Sequence, residues 1–542
     1  MMFALMPSCP QLLGIAEVAL GRGIYADRLA AIKPAMHVAS RLLTLVLVVA
    51  LVVASTASVR AQILRIALQE DPDRLDPAQG ATFVGRIVFA ALCDKLIDID
   101  ARLNFRPQLA TQWDWSEDGR TLVMRIRSGV VFHDGTPLDG QAVKINIDRY
   151  RTADYSRRKS EVKSIVNVVV VDPLTIRIEL SEPDAPLLSV LADRAGMMLS
   201  PKALAVAGQN IANQPVCAGP FRFVERVAQQ KITLQRFDNY WDAARIHVNQ
   251  VVFQPMPDTT VRTANLLAGS LDLVERLQPT DLKQLRDDKR VKVIASTALA
   301  YNTLSINLAH GPRSSQSVLA KDARVREALE LALDREALMQ VVFDGEYIAT
   351  NQPHAIDSPW YIRQRPIPAR DIGRARQLLA DAGVPRPSFT LSVPNSPLET
   401  QVAQVIQSMV GEAGFDMKIE VLEANTLTSN ATNGNYEAAL VIWSGRADPD
   451  GNISIWLACD GFLNWGKYCN PKLDARLAAA RRNTSYALRL DDYAAAAGIY
   501  LADRAHIFLY NYKWLWGVAE KVEGFTPHPD GIIRLQDVRF RS

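Results

Sequence analysis

Hydrophobic and polar positions from residue 63 onward follow two different periods, which are interleaved along the chain. A period of two predicts β-strands, and strands are predicted in ILRIALQ (63–69), TLVMRIRSGVVF (121–132), LTIRIEL (174–180), ITLQRF (232–237), VNQVVFQPM (248–256) and FTLSV (389–393). The helical period is clearest in DARVREALELALDREAL (322–338), where Asp322 is the expected N-cap. Further helices are predicted in ARQLLADAG (375–383), PKLDARLAAARR (471–482) and DYAAAAGIYLADRA (492–505). This interleaving predicts an α/β protein of at least two lobes, the second beginning near residue 300.

One stretch changes its character abruptly. ALVIW (439–443) has the β-branched and aromatic composition of a buried strand. SGRADPDGN (444–452) consists of turn-forming residues, one Arg and two Asp. An ordinary solvated loop is one interpretation. The other is that the strand carries these charged residues to a binding site.

The N-terminal region predicts the compartment. Residues 1–35 are interpreted as translated upstream sequence, with the true start at Met36. Residues 36–61 have a basic start, an apolar core from Leu42 to Ala54 and small residues ending at Ala61. This is the pattern of a cleaved signal peptide. The alternative is a membrane anchor, because the apolar core and the residues just after it carry no charge. Serine and threonine are frequent at the end of the segment and favour cleavage, which predicts an exported protein.

Composition and motifs exclude several classes of function. The 542 residues contain 61 Lys/Arg and 58 Asp/Glu, but the first 61 residues hold five of the former and two of the latter. The remainder therefore carries 56 charges of each sign, without the basic field of a nucleic-acid or anionic-membrane partner. No G-x-S-x-G, H-E-x-x-H, G-x-G-x-x-G or P-loop motif is present, and the seven His lack metal-ligand spacing. We therefore expect no catalysis, no cofactor and no metal.

Five cysteines suit an oxidising compartment. Cys9 falls in the part that we expect to be removed, which leaves Cys93, Cys217, Cys459 and Cys469. Four cysteines allow three pairings. Cys459 and Cys469 are close in sequence among loop residues and are expected to pair, which leaves Cys93 with Cys217. The alternative for the latter two is a pair of free buried thiols.

Four stretches in order along the chain resemble the extracellular solute-binding proteins of the peptide/nickel/opine class, the periplasmic receptors of ABC importers. They are LDPAQGATFVGRIVFAALCDKLIDID (75–100), GVVFHDGTPLDGQAVKINIDRY (129–150), NLAHGPRSSQSVLAKDARVREALELALDREAL (307–338) and WSGRADPDGNISIWLACDGFLNWGKYCNPKLDARL (443–477). The last of these resembles the cleft loop and disulfide of the dipeptide-binding members. Together the four stretches span nearly all of the chain after the signal peptide.

The resemblance implies a two-lobed periplasmic-binding-protein fold of type II with an inserted subdomain. Lobe I would comprise residues 62–104, 181–300 and 505–542, the insert residues 105–180, and lobe II residues 301–504. The lobes would close on a solute held between them. The implied partners are a small-molecule or peptide ligand and the permease subunits of an ABC transporter, with the receptor itself a monomer and no nucleic acid involved.

The resemblance also implies ligand-binding residues around the strand that ends at Trp443. Trp443, Ser444 and Gly445 would line the solute. The dipeptide-binding members place an Asp after W-x-G to meet the ligand's α-ammonium group, whereas this chain has Arg446. An Arg there repels an ammonium and attracts a carboxylate. It favours an anionic solute or a peptide lying in another orientation.

Two alternatives for Arg446 remain open. Arg446 contacts the ligand, or it pairs with a neighbouring Asp448 or Asp450. Asp448 or Asp450 is also a candidate partner for the ammonium group.

Weaker candidates lie elsewhere in the sequence. Thr82 and Phe83 belong to the N-terminal segment that reaches the cleft in relatives, Tyr301 lies near the hinge, and Trp465 lies between the two late cysteines. For each of these residues packing is the competing interpretation. The F-H-D-G stretch (132–135) is expected to be a structural turn. The competing functions are a secreted hydrolase-like enzyme and a ligand sensor or chaperone on the same fold.

Overall fold

The computed structural model describes residues 62–356 and 358–541. The interpretations of residues 1–35 and 36–61, and of Cys9, fall outside the described residues. Within the described part, no helix has both the length and the apolar composition needed to cross a bilayer.

Strands and helices alternate throughout the described residues. The strands are β1 Ile63–Leu68, β2 Ile97–Ile99, β3 Phe105–Pro107, β4 Ala110–Trp115, β5 Thr121–Ile126, β6 Ile165–Asp172, β7 Thr175–Leu180, β8 Phe221–Val227, β9 Lys231–Arg236, β10 Gln250–Pro255, β11 Leu273–Val274, β12 Val291–Ile306, β13 Ile348–Ala349, β14 Ser388–Pro394, β15 Asp416–Leu422, β16 Ala438–Trp443, β17 His506–Ala519, β18 Val522–Glu523 and β19 Arg539–Phe540. The α-helices are α1 Phe83–Leu92, α2 Gly140–Thr152, α3 Leu187–Leu191, α4 Pro201–Ala207, α5 Thr259–Leu267, α6 Leu282–Asp287, α7 Gly311–Gln316, α8 Val318–Lys321, α9 Ala323–Leu331, α10 Arg335–Phe343, α11 Ile372–Asp381, α12 Pro397–Ala413, α13 Ala424–Thr432, α14 Asp450–Leu457, α15 Pro471–Arg482 and α16 Tyr486–Asp503. Short 3₁₀ turns lie at Arg194–Gly196, Gly208–Asn213, Ala243–Arg245 and Pro279–Asp281.

The main sheet is continuous through two long central strands. Its order is β15-β14-β16-β12-β17-β11-β1-β10-β9-β8, with β13 paired to β17. The first part of β12, up to Thr297, pairs with the end of β17, beside β11. From Tyr301 onward β12 pairs with the start of β17 and with β16. The register is interrupted between Thr297 and Tyr301, so β12 and β17 cross together from one half of the sheet to the other.

We call the half with β8, β9, β10, β1 and β11 lobe I, and the half with β14, β15 and β16 lobe II. β1 pairs in parallel with β10 and β11, and β14 pairs in parallel with β15 and β16. The first half of β17, His506 to Asn511, pairs with the lobe II part of β12. The domain boundaries expected from the resemblance stay predictions.

A separate antiparallel sheet, β4-β5-β7-β6, forms the insert. The strand predicted in 174–180 is present as β7, and β6 pairs with it in an antiparallel hairpin across Asp172-Pro173. The insert has its own hydrophobic core, in which Phe132 is fully buried. Asp134 accepts hydrogen bonds from the hydroxyls of Thr136 and Ser200, at 2.6 Å each. The F-H-D-G stretch thus fastens the insert to the segment that precedes α4.

Both expected disulfides are present, Cys93 with Cys217 and Cys459 with Cys469. The helical structure expected over residues 322–338 is present, with Asp322 as its N-cap, but it is divided in two. The segment forms two helices, α9 and α10, because Asp334 adopts an extended backbone and accepts a hydrogen bond from the backbone N–H of Ala337. A side-chain cap of this kind starts a new helix without breaking the apolar periodicity.

Candidate functional site

The loop after β16 is held in a conformation that requires glycine. Gly445 has a φ of +80°, and a Cβ atom there would lie 2.3 Å from the carbonyl oxygen of Leu299. A residue with a side chain would therefore meet both backbone strain and a backbone clash. Because Leu299 lies at the interruption in β12, this contact places the loop against the crossing between the lobes.

Asn452 organises the same loop from the start of α14. Its Oδ1 accepts hydrogen bonds from the indole N–H of Trp443 at 3.0 Å and from the backbone N–H of Arg446 at 2.7 Å. Its Nδ2 donates to the backbone carbonyl oxygen of Arg446 at 3.0 Å, and the backbone carbonyl oxygen of Asn452 accepts from the Tyr301 hydroxyl at 2.8 Å. The polar groups of Trp443 and Tyr301 are therefore engaged in positioning the loop.

Arg446 forms an ion pair that crosses between the lobes. Its Nε lies 2.7 Å from Oδ2 of Asp193, whose Oδ1 accepts from Nε of Arg86 at 3.0 Å. Arg86 also donates to the Ser444 hydroxyl at 3.1 Å, and the Arg446 guanidinium lies 4.4 Å from the centre of the Trp443 ring. The partner of Arg446 is thus a carboxylate from a distant part of the chain.

The pairing of Arg446 with a neighbouring Asp is therefore wrong. Asp448 is bound by Arg489 at 2.7 Å, and Asp450 is bound by Arg481. Both carboxylates are already paired with Arg side chains from the two late helices. This arrangement leaves Arg446 free to face lobe I.

A cavity of about 310 Å³ lies beside this ion pair, between the lobes. The lobe I side, with the insert, contributes Ser160, Glu161, Lys163, Glu182, Pro186, Ser189, Val190 and Asp193. The lobe II side contributes Arg446, Asp448, Asp450, Gly451, Ser454, Ile455, Ala458, Cys459, Asp460, Gly461, Phe462, Asp474, Leu477, Ala478 and Arg481. Its size is at the lower end of small-molecule sites. Ten of its 23 wall residues are charged, seven of them acidic and three basic, so the wall is more polar than that of a typical small-molecule site.

Burial and the opposite charge of the partner shift the pKa of each member of this ion pair in opposite directions. Burial alone would raise the pKa of Asp193, but the guanidiniums of Arg446 and Arg86 hold it well below its usual range. Burial and repulsion by Arg86 lower the pKa of Arg446 to about 10, against the opposing effect of Asp193. Both groups are therefore charged at neutral pH.

Three further contacts also join the lobes, nearer the surface. Lys163 lies 2.7 Å from Asp460, and Arg482 lies 3.0 Å from Glu182. The backbone N–H of Ala185 donates to the carbonyl oxygen of Arg481 at 2.9 Å. The described residues thus represent a closed arrangement of the two lobes.

The weaker candidates are dispersed around this centre. Thr82 caps α1, accepting from the Gly85 N–H and donating to Asp73. Phe83 stacks on Trp514 with ring centres 4.8 Å apart. Trp465 packs edge-on against Trp456, which in turn packs against Trp443. Of the nine ligand-binding candidates, Arg446 and Asp448 belong to the cavity wall formed by the described residues.

A second polar group lies where the lobes join. Glu399, in the first turn of α12, accepts from Asn302 on β12 at 3.3 Å and from the Tyr512 hydroxyl on β17 at 3.5 Å. Burial raises the pKa of this carboxyl to about 7, which Arg276 opposes. The side chain therefore joins both crossing strands and titrates near neutrality.

Sequence reasoning missed Asp193, Arg86, Asn452 and Glu399. Arg86 had a usable signal, because it is the single charged residue of the apolar helix FVGRIVFAAL. The other three have no comparable local signal. Among the described residues, no group of three or more His, Cys, Asp or Glu side chains is placed to bind a metal ion.

Comparison with known proteins identifies the family. Residues 104–464 match the model of the bacterial extracellular solute-binding proteins, family 5, middle region. The chain belongs to this family. Its members bind peptides or small ligands and work with ABC permeases, and they are not enzymes.

Individual relatives agree with this assignment. The chain is 27% identical over 477 residues to a glutathione-binding protein of Pectobacterium atrosepticum, covering 85% of this chain and 91% of the relative. A dipeptide-binding protein of Pseudoalteromonas sp. SM9913, solved with Met-Leu, superposes with a TM-score of 0.82 at 24% identity, over 89% of this chain and all of that one. The agropinic acid complex of a binding protein from A. tumefaciens R10 gives a TM-score of 0.81 at 21% identity, over 89% and 99%. The fold of this solute-binding protein is accordingly the two-lobed periplasmic-binding-protein fold with an inserted subdomain.

Proposed function

We propose that this solute-binding protein captures a peptide-like solute in the cavity between its lobes and delivers it intact to an ABC permease. The observation that carries the proposal is the cavity, whose wall is shared between lobe I with its insert and lobe II. A solute in such a site leaves water on closure, which strengthens each polar contact made to it.

The relatives and the charges of the wall narrow the class of solute. One similar protein is named for glutathione, and similar folds were solved with a dipeptide and with an opine. All three ligands are small and carry carboxylate groups. The wall offers Arg and Asp side chains within one cavity, which suits a compact solute with several charged groups.

The candidate residues divide into two proposed roles. Arg446 and Asp448, as part of the cavity wall, would contact the solute directly. Trp443, Ser444 and Gly445, together with Tyr301, would position the loop that presents Arg446. Thr82, Phe83 and Trp465 are proposed as supporting residues at the cleft, through the contacts described above.

A binding screen tests the proposal. The chain from Gln62 onward would be titrated with glutathione, Met-Leu, agropinic acid and an oligosaccharide, with thermal unfolding and calorimetry as readouts. A bound solute raises the free energy of unfolding by RT ln(1+[L]/Kd), about 2.7 kcal/mol at a hundredfold excess over Kd. Mass spectrometry would recover the solute unchanged. Consumption of a solute would favour the secreted enzyme, and no binding to any of the three carboxylate solutes would reject the proposal.

We further propose export with cleavage after Ala61 and function as a monomer. Support for export comes from the signal pattern of residues 36–61 and from the extracellular family. N-terminal sequencing of the exported protein should begin at Gln62, and light scattering should give the mass of a single chain. An uncleaved start would indicate the membrane anchor instead.

A further inference from the structure

Four arginines from four different segments meet beside the cavity. We call them the arginine cluster: Arg86 of α1, Arg158 after α2, Arg194 in a 3₁₀ turn, and Arg446 after β16. All four are buried or nearly so, with Arg158 fully inaccessible and the Arg446 side chain about 10% exposed. The first three lie on the lobe I side and Arg446 on the lobe II side. Closure of the lobes therefore brings the fourth positive charge against the other three.

Carboxylates balance only half of this charge. Asp193 lies between Arg86 and Arg446, and Glu161 lies 2.6 Å from Arg158. Four guanidiniums and two carboxylates leave a net charge of +2.

The ion pairs behind the cluster, on the lobe I side, do not cancel this excess. Lys95 and Arg534 are paired with Asp98 and Asp530. Arg149 is paired with Asp76. Each of these neighbouring sets is neutral in itself. The excess positive charge therefore belongs to the arginine cluster. A separate excess of negative charge lies elsewhere beside the cavity, where Asp184 and Asp450 share the guanidinium of Arg481.

Two members of the cluster have incomplete hydrogen bonding. Arg194 donates from Nη1 to the carbonyl oxygen of Gly80 at 2.9 Å, and Arg158 donates to the same oxygen at 3.4 Å. Among the described residues, Nε of both side chains has no partner. Burial and repulsion by Arg158 lower the pKa of Arg194 well below its usual range. A buried guanidinium with an unmade hydrogen bond is unfavourable, and an anion placed nearby stabilises its positive charge.

We propose that the arginine cluster is an anion-recognition subsite, and that the solute presents a carboxylate group to Arg446 at this end of the cavity. Arg446 and Glu161 are the members of this network, with Asp193, that reach the cavity wall. Arg158 and Arg194 lie behind them and contribute positive potential. The inference rests on the proposed function, because it specifies the chemistry of a solute bound in that cavity. It places a carboxylate where the dipeptide-binding pattern places an ammonium.

The first test compares a solute with and without its carboxylates. Glutathione and glutathione diethyl ester would be titrated into the wild-type protein, Arg446→Gln and Arg482→Gln. Arg482 is the matched control, because it also pairs across the lobes but is half exposed. We expect the wild type and Arg482→Gln to bind glutathione at least about thirtyfold more tightly than the ester, and Arg446→Gln to bind both alike. Equal binding of acid and ester by the wild type, or discrimination that survives in Arg446→Gln, would overturn the inference.

The second test needs no organic solute, so it separates failure of this inference from failure of the proposed function. The melting temperature would be measured in sodium sulfate and in sodium chloride at equal ionic strength. The subsite predicts a larger sulfate stabilisation in the wild type and Arg482→Gln than in Arg446→Gln. Arg194→Gln provides a second variant should Arg446→Gln fail to fold, with a reduced sulfate response expected. An identical response in all these proteins overturns the anion subsite, even if a peptide-like solute binds elsewhere in the cavity.

Discussion

The contribution of the buried ion pair between the lobes to the stability of the protein can be compared with that of an exposed ion pair. Asp193 lies 2.7 Å from Arg446 and 3.0 Å from Arg86, and the three side chains are at most 10% exposed. Asp460 also lies 2.7 Å from its partner, Lys163, but these two side chains are 63% and 48% exposed. Asp193→Asn and Asp460→Asn therefore make the same chemical change at the same distance, and differ in burial.

The expected magnitudes differ severalfold. Removing one member of a buried pair costs about 3–5 kcal/mol, since the remaining charges are left without compensation. In Asp193→Asn the arginine cluster would rise from +2 to +3, which adds to this cost. Breaking an exposed pair costs about 0–1 kcal/mol. With an unfolding entropy of about 2 cal/mol/K per residue, Asp193→Asn should lower the melting temperature by about 3–5 °C and Asp460→Asn by about 1 °C or less.

Calorimetry over a range of pH provides the assay. The folded pKa of Asp193 lies below its unfolded value, so the stabilisation is present above the unfolded pKa and is lost as the pH falls through the folded pKa. The gap between wild type and Asp193→Asn should be constant from about pH 5 to pH 8 and should narrow below about pH 4. Equal melting temperatures for the two variants at pH 7, or a gap that grows on acidification, would refute this account of the ion pair.

Three further predictions concern the loop, the late disulfide and the crossing strands. Backbone strain alone at this φ costs about 1–3 kcal/mol, and the clash with Leu299 adds to it. Gly445→Ala should therefore lower the free energy of unfolding measured in denaturant by at least this amount. An unchanged value would show that the loop can move away from Leu299. Replacing Cys459 and Cys469 by Ser should cost about 3 kcal/mol for a loop of this length, and an unchanged unfolding midpoint would contradict that. Because the folded pKa of Glu399 is raised to about 7, the folded state binds this proton more tightly than the unfolded state. The free energy of unfolding should therefore fall as the pH rises from about 4.5 to 7. The free energy of unfolding of Glu399→Gln, measured relative to the wild type, should therefore be up to about 3 kcal/mol higher at pH 8 than at pH 4. If the variant kept the wild-type dependence of stability on pH, the assignment would be refuted.

Local sequence patterns predicted the helices and strands of this protein better than they predicted the contacts between its side chains. Strand β7 follows from the alternation in LTIRIEL (174–180), and the strand that ends at Trp443 follows from an apolar run before turn-forming residues. The division between α9 and α10 did not follow, because the apolar stripe continues in phase across the cap at Asp334. Periodicity reports which face is buried, and it does not report where the backbone leaves the helix.

The partners of the charged residues required the tertiary structure. Next to Arg446, the sequence offers Asp448 and Asp450, and both are bound by arginines of α15 and α16. Asp193, the actual partner, is brought to Arg446 by the packing of the insert and lobe I against lobe II. An ion pair depends on distance and burial in three dimensions, so sequence separation is a poor guide to it.

The distribution of charge between the lobes links closure to the charge of the solute. The pairs of Lys163 with Asp460 and of Arg482 with Glu182 lie at the rim, where each contributes about 0–1 kcal/mol. The charges at the buried contact between Arg446 and lobe I interact more strongly than those at the rim, but this contact leaves the arginine cluster with two uncompensated positive charges. Closure without an anion therefore gains little at the rim and retains repulsion in the interior. A carboxylate at Arg446 removes part of that repulsion only when the lobes are together, so it binds the closed form better than the open form, which is the condition for a ligand to shift a conformational equilibrium.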